Sequence, residues 1–246
     1  TEQFEDSLVA PEYPENTLQP VRLPHTCKET PFHYFDESLY QMVSGYRRHL
    51  LIPKNWQGKR ILLTFEGAAH DSTVFCNGKK VGEHHCGYTA FTVDLTDNVL
   101  YGQDNLLCVR LDSRENLNVP PFGYVIDYMT YGGIYRDVWL EVKEKVSLSD
   151  IFVHTAIDFR SSPVTAQITL TESDENVTIR QYYMPKNTAA GQGSWNLLCE
   201  QTFSADTTCD KEIALTATIT APLLWDTEEA NLYILKTQLY QDNTIL

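Results

Sequence analysis

The densest chemistry in the sequence lies in one segment, Pro120-Pro121-Phe122-Gly123-Tyr124-Val125-Ile126-Asp127-Tyr128-Met129-Thr130-Tyr131. It sets a single carboxylate, Asp127, among the rings of Tyr124, Tyr128 and Tyr131. A carboxylate accepts hydrogen bonds from two neighbouring hydroxyls at once, and a tyrosine offers an apolar ring face beside a polar phenol. Together these groups suit a neutral, hydroxyl-rich ligand. A second cluster, His84-His85-Cys86, invites a metal reading, but adjacent residues in a strand face opposite ways and cannot easily share one ion. A strand-edge or loop position is expected for it, and no metal site is assigned. Trp56, Trp139, Trp195 and Trp225 are expected to be core or domain-edge aromatics rather than binding platforms. Asn176-Val177-Thr178 fits a glycosylation sequon, which matters only on a eukaryotic secretory route.

The elements that must position these groups read as strands. Arg60–Glu66, Ser72–Cys76, Thr89–Leu95, Asn105–Leu111 and Arg136–Val142 are short runs of β-branched, aromatic and aliphatic residues. Asn77-Gly78 stands between Cys76 and the next run, Lys79-Lys80-Val81. A two-residue hairpin turn needs positive φ at both central positions, which this dipeptide supplies. A charged connector, Lys143–Ser147, then leads to a second series: Ile151–Thr155, Thr165–Thr171, Val177–Tyr183, Glu212–Thr216 and Leu232–Tyr240. Short strands at this spacing, with no amphipathic helices between them, mean an all-β chain: a sandwich or barrel in the first series, and the rhythm of an immunoglobulin-like sandwich in the second. The boundary is placed at residue 146, giving domains 1–146 and 147–246. The stretch Ala189–Ser194 is expected to be a loop within the second domain. Asp242-Asn243 is a turn dipeptide, and Thr244-Ile245-Leu246 starts a returning strand. A domain rarely stops there, so the chain is expected to be a piece of a longer protein.

The 246 residues carry 19 Lys and Arg against 33 Asp and Glu, a formal charge of -14. That balance argues against a nucleic-acid partner and against an anionic membrane surface. No stretch approaches the ~20 apolar residues of a membrane helix, and no signal peptide is visible in the sequence. The six cysteines, Cys27, Cys76, Cys86, Cys108, Cys199 and Cys209, show no CxxC spacing and are expected to be reduced thiols in a bacterial cytoplasm.

Three blocks, in order, resemble glycoside hydrolase family 2. The first is Gly45-Tyr46-Arg47-Arg48 followed by Ile52–Arg60, similar to the family's "P-x-x-W-x-G-K-R" turn. The second runs from Phe65-Glu66-Gly67 through Val74–Gly82 to Gly87-Tyr88-Thr89-Ala90-Phe91. The third is Gly132-Gly133-Ile134-Tyr135-Arg136-Asp137-Val138-Trp139-Leu140. Pro222-Leu223-Leu224-Trp225 with Asn231-Leu232-Tyr233 resembles the end of the family's second domain.

The resemblance implies a sugar-binding jelly roll, then an immunoglobulin-like sandwich, then a TIM barrel that bears both catalytic carboxylates. Retaining hydrolysis needs that pair ~5–5.5 Å apart, and a barrel needs ~250 residues. No catalytic residue is therefore assigned here, and the chain alone is expected to be inactive. In some β-galactosidases that the chain resembles, an Asp at the place of Asp127 contacts substrate hydroxyls and, in some members, a monovalent cation. Asp127, Tyr128 and Tyr131 are the substrate-binding candidates, beside the competing expectation that the loop only packs against the barrel. Arg136, Asn77 and Gly78 are assigned structural roles, with Arg136 expected to anchor the preceding loop through a bidentate bond. A carbohydrate substrate, the barrel domain and a homo-oligomer are the implied partners, and no cofactor belongs to this part. Alternatives are a β-glucuronidase fragment and a freestanding carbohydrate-binding module, which would need exposed aromatics and polar groups together on one sheet face.

Overall fold

The structure, a computed structural model, describes residues 3–29, 33, 36–120, 131–158, 160–172, 176–186, 194–204 and 211–246. It divides into two units, Thr1–Lys143 and Glu144–Leu246. Val146, at the boundary expected from the sequence, is buried in the core of the second unit. Strands dominate both units, and among the described residues the helical segments are four short 3-10 turns.

The first unit holds β1 (Val43–Ile52), β2 (Arg60–Phe65), β3 (Asp71–Cys76), β4 (Lys79–His85), β5 (Phe91–Asp94), β6 (Gln103–Asp112) and β7 (Val138–Lys143). They form two sheets, of order β1-β6-β3-β4 and β5-β2-β7. Period-two alternation sends Val74 and Cys76 from β3, Leu107, Val109 and Leu111 from β6, and Ile61, Leu63 and Phe65 from β2 into one shared core. Phe65 stacks on Phe91 with ring centroids 4.8 Å apart. This is a sandwich closed by side chains from facing sheets.

The β3–β4 hairpin turns on Asn77 (φ 50) and Gly78 (φ 82), the positive dihedrals that the dipeptide was read for. Asn77 does more than turn. Its Nδ2 donates to the Asn98 carbonyl and to Asn105 Oδ1, both at 2.8 Å, while its Oδ1 accepts from the Leu106 amide at 2.9 Å. Asn105, only 1% exposed, also accepts from the Leu100 amide at 2.6 Å and donates to the Leu100 and Gln103 carbonyls at 2.9 and 3.0 Å. The two amides lock the hairpin to the Leu100 loop with every polar atom of Asn105 occupied, as burial demands.

The outer side of β1 is covered by the N-terminal arm. The Phe4 amide donates to the Val43 carbonyl at 2.7 Å. The Arg47 side chain, 2% exposed, donates to the carbonyls of Leu8, Ala10 and Pro11 at 2.7, 2.6 and 3.0 Å and to Glu15 Oε1 at 2.7 Å. Behind the arm, Cys108 is buried, and burial pushes its thiol up to about 11.

The second unit holds β8 (Leu148–Thr155), β9 (Ser161–Leu170), β10 (Val177–Pro185), β11 (Asn196–Phe203), β12 (Glu212–Thr220), β13 (Tyr233–Gln241) and β14 (Thr244–Ile245). Its sheets are β12-β9-β8 and β11-β10-β13-β14. Ala166, Ile168, Leu170, Ile213 and Leu215 from one sheet meet Val177, Ile179, Phe203 and Leu239 from the other. Asp242 (φ 47) and Asn243 (φ 63) turn the chain from β13 into β14.

Replacing Asn105 with Ala should lower the unfolding free energy of the first unit by about 2–4 kcal/mol, because it removes one partner of the Asn77 side chain and a partner of the Leu100 amide and of the Leu100 and Gln103 carbonyls at a buried position. Chemical denaturation checks this, and a loss below about 1 kcal/mol would show that water replaces the lost partners.

Candidate functional site

The sequence singled out the Pro120–Tyr131 loop. Residues 121–130 lie outside the described residues, Asp127 and Tyr128 with them. What the structure shows is the frame that holds the loop's two ends. At the first end, the Pro120 carbonyl accepts from the Gly87 amide at 3.3 Å. Tyr135 donates its hydroxyl proton to the Gly87 carbonyl at 2.5 Å, which ties the third motif block to the second. At the other end, Tyr131 is 38% exposed and meets Tyr40 edge-to-face, centroids 5.9 Å apart. The Tyr40 hydroxyl donates to the Lys28 carbonyl at 2.8 Å.

Gly132 and Gly133 follow at once, and they are pinned between two layers. The Cys27 amide donates to the Gly132 carbonyl and the His25 amide to the Ile134 carbonyl, both at 2.8 Å, while the Ala69 amide donates to the Gly133 carbonyl at 2.9 Å. A methyl on Gly133 would lie 2.6 Å from the His25 carbonyl oxygen and 2.8 Å from the Tyr46 hydroxyl, and its φ of 122 suits glycine alone. The Tyr46 hydroxyl meets His25 Nδ1 at 2.8 Å, and burial raises the phenol's pKa.

His70 and Asp112 complete the frame. His70 is 6% exposed; burial lowers its pKa, opposed by a bond to the Tyr131 backbone and by the Asp112 charge. Its neutral imidazole thus sits under the end of the loop. Burial pushes the Asp112 carboxyl up, but bonds from Arg114, at 2.6 and 2.8 Å, and from Arg110, at 3.0 Å, outweigh it and hold the group below the usual range. Ser113 Oγ donates to the Tyr40 and Met42 carbonyls. The sequence offered no signal for His70, Tyr40 or Asp112, since their roles come from contacts between segments far apart in the chain.

Arg136 was expected to hold the loop by a bidentate bond. The segment it would hold lies outside the described residues; among those described, its guanidinium lies over the Tyr135 ring, 5.8 Å from the centroid, and its amide donates to the Gly67 carbonyl at 3.4 Å. No carboxylate pairs with it among the described residues. His84 and His85 diverge: His84 donates to or accepts from Thr89 Oγ1 at 2.8 Å and stacks on Phe91, while His85 Nδ1 meets Asp71 at 3.0 Å. No group of three or more His, Cys, Asp or Glu among the described residues could hold a metal. A cavity of about 940 Å³ opens beside the arm, between its Leu18 and Leu23 and the core residues Leu63 and Phe65.

Trp139, expected at a core or domain-edge position, lies on the edge strand β7 of its sheet. Val138, Leu140 and Val142 of β7 pack on the core, so the pleat turns Trp139 outward, where it is 54% exposed.

The chain matches two family profiles in tandem: "Glycosyl hydrolases family 2, sugar binding domain" over residues 25–144 and "Glycosyl hydrolases family 2" over residues 146–246. A β-galactosidase of Thermoanaerobacter pseudethanolicus is 34% identical over 236 residues, which is 96% of this chain and 31% of that protein. A β-glucuronidase of Bacteroides fragilis is 37% identical over 131 residues, 53% of this chain and 19% of that protein. Among solved structures, a β-glycosidase from Bacteroides vulgatus superposes with a TM-score of 0.78 at 26% identity, covering 98% of this chain and 30% of that one. A glycosyl hydrolase family 2 member from Bacteroides cellulosilyticus has the same fold, with a TM-score of 0.79 at 23% identity, over 100% of this chain and 32% of that one. The chain thus spans about a third of the length of such relatives.

Two predictions follow from the frame. Gly133→Ala should cost about 2–4 kcal/mol of stability, from the strained φ and the clash together, read by thermal or chemical melting. A His with a lowered folded pKa gives stability that is complete above the ordinary imidazole value of about 6.5 and is lost as pH falls below it. The first unit should therefore weaken on acidification below that point, and His70→Gln should flatten the slope of stability against pH. His25 and His84 are shifted the same way by burial, so the slope is reduced rather than abolished.

Proposed function

Because the chain belongs to glycoside hydrolase family 2, we propose that it serves as the N-terminal, non-catalytic part of a bacterial β-glycosidase of the β-galactosidase kind. The observation that carries this reading is the tandem order of the two family matches, within relatives about three times as long. The catalytic acid/base and nucleophile then belong to the barrel of the longer protein, and this part supports it and contributes the 120–131 loop to the sugar site. Asp127 in this reading accepts hydrogen bonds from substrate hydroxyls, beside Tyr128 and Tyr131, with a monovalent cation next to its carboxylate. The pinned ends of the loop support it: Pro120 is held by Gly87 and Tyr131 by Tyr40, so a loop on a rigid frame can present a side chain reproducibly. The similarity to a β-glucuronidase favours a second reading in which the substrate carries a uronate. The five described cysteines are free thiols, which fits a reducing bacterial compartment. No helix among the described residues is long and apolar enough to cross a membrane.

The test uses the full-length polypeptide and this chain side by side on chromogenic β-galactoside and β-glucuronide. The longer protein should turn over the galactoside, and the chain alone should turn over neither. Asp127→Ala in the longer protein should lower kcat/KM by about 10- to 100-fold, the equivalent of one charge-assisted hydrogen bond of ~1.5–3 kcal/mol. An unchanged kcat/KM would mean that the loop only packs, and a preference for the glucuronide would overturn the galactosidase assignment.

A further inference from the structure

We propose that the outer face of the β5-β2-β7 sheet is a second carbohydrate-binding site, a platform for a neutral sugar centred on Trp139. The proposal rests on the carbohydrate reading above but concerns a different surface from the 120–131 loop.

The pairing of the strands puts the relevant side chains in rows. Thr64 of β2 stands opposite Trp139 of β7 on one side and Thr92 of β5 on the other. Glu141, Leu62 and Asp94 form the next row, and residues two apart along a strand share a face. Glu66, two residues beyond Thr64, accepts the Trp139 indole proton on Oε1 at 2.8 Å. Thr64 Oγ1 lies 2.8 Å from Thr92 Oγ1 and 3.2 Å from Glu141 Oε2. The polar groups around the indole are thus already arranged as a connected network.

This arrangement has the three parts that sugar recognition needs. The first is a large aromatic ring held in one orientation: the bond to Glu66 satisfies the only polar atom of the indole and leaves its apolar face to solvent, with 54% of Trp139 exposed. The second is a set of carboxylates that can accept from paired hydroxyls, Glu66 and Glu141. The third is a pair of hydroxyls, on Thr64 and Thr92, able to donate or accept as a sugar requires. Three strands span about 10 Å, so one sugar ring over Trp139 places its hydroxyls within reach of both threonines.

The charge of the face selects the ligand class. Arg60 is engaged by Asp94 at 2.9 Å, and Lys143 lies 3.6 Å from Glu141. That leaves Glu66 without a basic partner beside the indole among the described residues. A uronate would meet this carboxylate and be repelled, whereas a neutral hexose would bring only donors to it.

The experiment follows the four indole N–H signals of the 15N-labelled chain by NMR during titration with lactose and, separately, with glucuronic acid. Trp139→Phe identifies the Trp139 signal. Lactose should shift that signal and leave the signal of Trp225 in place; Trp225 is also exposed, at 59%, but lies on the second unit. Trp139→Ala should weaken lactose binding at least about tenfold, while Trp139→Phe, which keeps a ring, should retain most of it. Glucuronic acid should bind more weakly than lactose. A Trp139 signal that no sugar moves, equal affinity for glucuronic acid, or undiminished lactose binding by Trp139→Ala would overturn the proposal. The first of these would leave the face to a protein neighbour. Hydrolysis by the full-length polypeptide is read separately, so a chain that fails to bind lactose here leaves the glycosidase assignment standing on its own test.

Discussion

The buried guanidinium of Arg47 is the constraint around which the first unit is arranged. A charge taken out of water is tolerated only when its donors are met, and here the acceptors are three main-chain carbonyls and one carboxylate, all supplied by the arm between Leu8 and Glu15. The arm cannot leave without stranding the charge. It is held further by His49, which bridges Glu15, at 2.8 Å, and Asp104. The bond to Asp104 is the main reason the imidazole is held above its ordinary range, while bonds from Arg47 and then His49 hold Glu15 below the usual carboxylate range. The two shifts favour the same charged state, so the clasp is complete between the pH ranges in which Glu15 and His49 titrate. With the arm in place, His25 and Cys27 reach the Gly132–Ile134 segment and fix the far end of the candidate loop.

Asn105 makes a related argument with no net charge. Its amide has more partners than a turn needs, and it joins the hairpin, the Leu100 loop and β1. In the second unit, Gln181 is 1% exposed and meets Thr237 Oγ1 at 3.3 Å and the Cys199 thiol at 3.5 Å. Each of these buried amides sits on a strand whose register would shift its partners if it slipped by one residue. Polar groups in these cores therefore specify alignment more than they add stability.

Much of the strand content was legible because alternation is a local property. β2, β3, β5, β6, β8, β9, β10, β12 and β13 coincide with the runs read from the sequence, within a few residues at their ends. β11 was not anticipated: Asn196-Leu197-Leu198-Cys199-Glu200-Gln201-Thr202-Phe203 has no clean alternation, and mostly exposed side chains give no apolar face to detect. The arm was illegible for another reason. Arg47 is held largely by carbonyls, and a carbonyl has no residue type to betray it. At the candidate loop, the sequence named the segment and the structure supplied its frame. His70 in Ala68-Ala69-His70-Asp71 has no local pattern, and its environment is made by Tyr131 and Asp112 from elsewhere in the chain.

The placement of Trp139 is decided by register. A tryptophan is usually buried, and that tendency suggested a core or domain-edge position. Val138, Leu140 and Val142 occupy the inward positions of β7, so Trp139, Glu141 and Lys143 must point outward. The two sheets of the sandwich differ in just this respect. Asn105-Leu106-Leu107-Cys108-Val109 of β6 is buried on both faces, with Leu106 at 5% and Cys108 at 1%, because the arm and neighbouring loops cover the outer side of that sheet. Such a strand reads as a continuous apolar run. β7 keeps its apolar side chains on the core side and turns Trp139, Glu141 and Lys143 outward, with Trp139 54% exposed among the described residues. The arm that covers the outer side of β1 thus belongs to one sheet, and on the other sheet the exposed indole stands on the edge strand β7 beside Thr64 of the central strand β2.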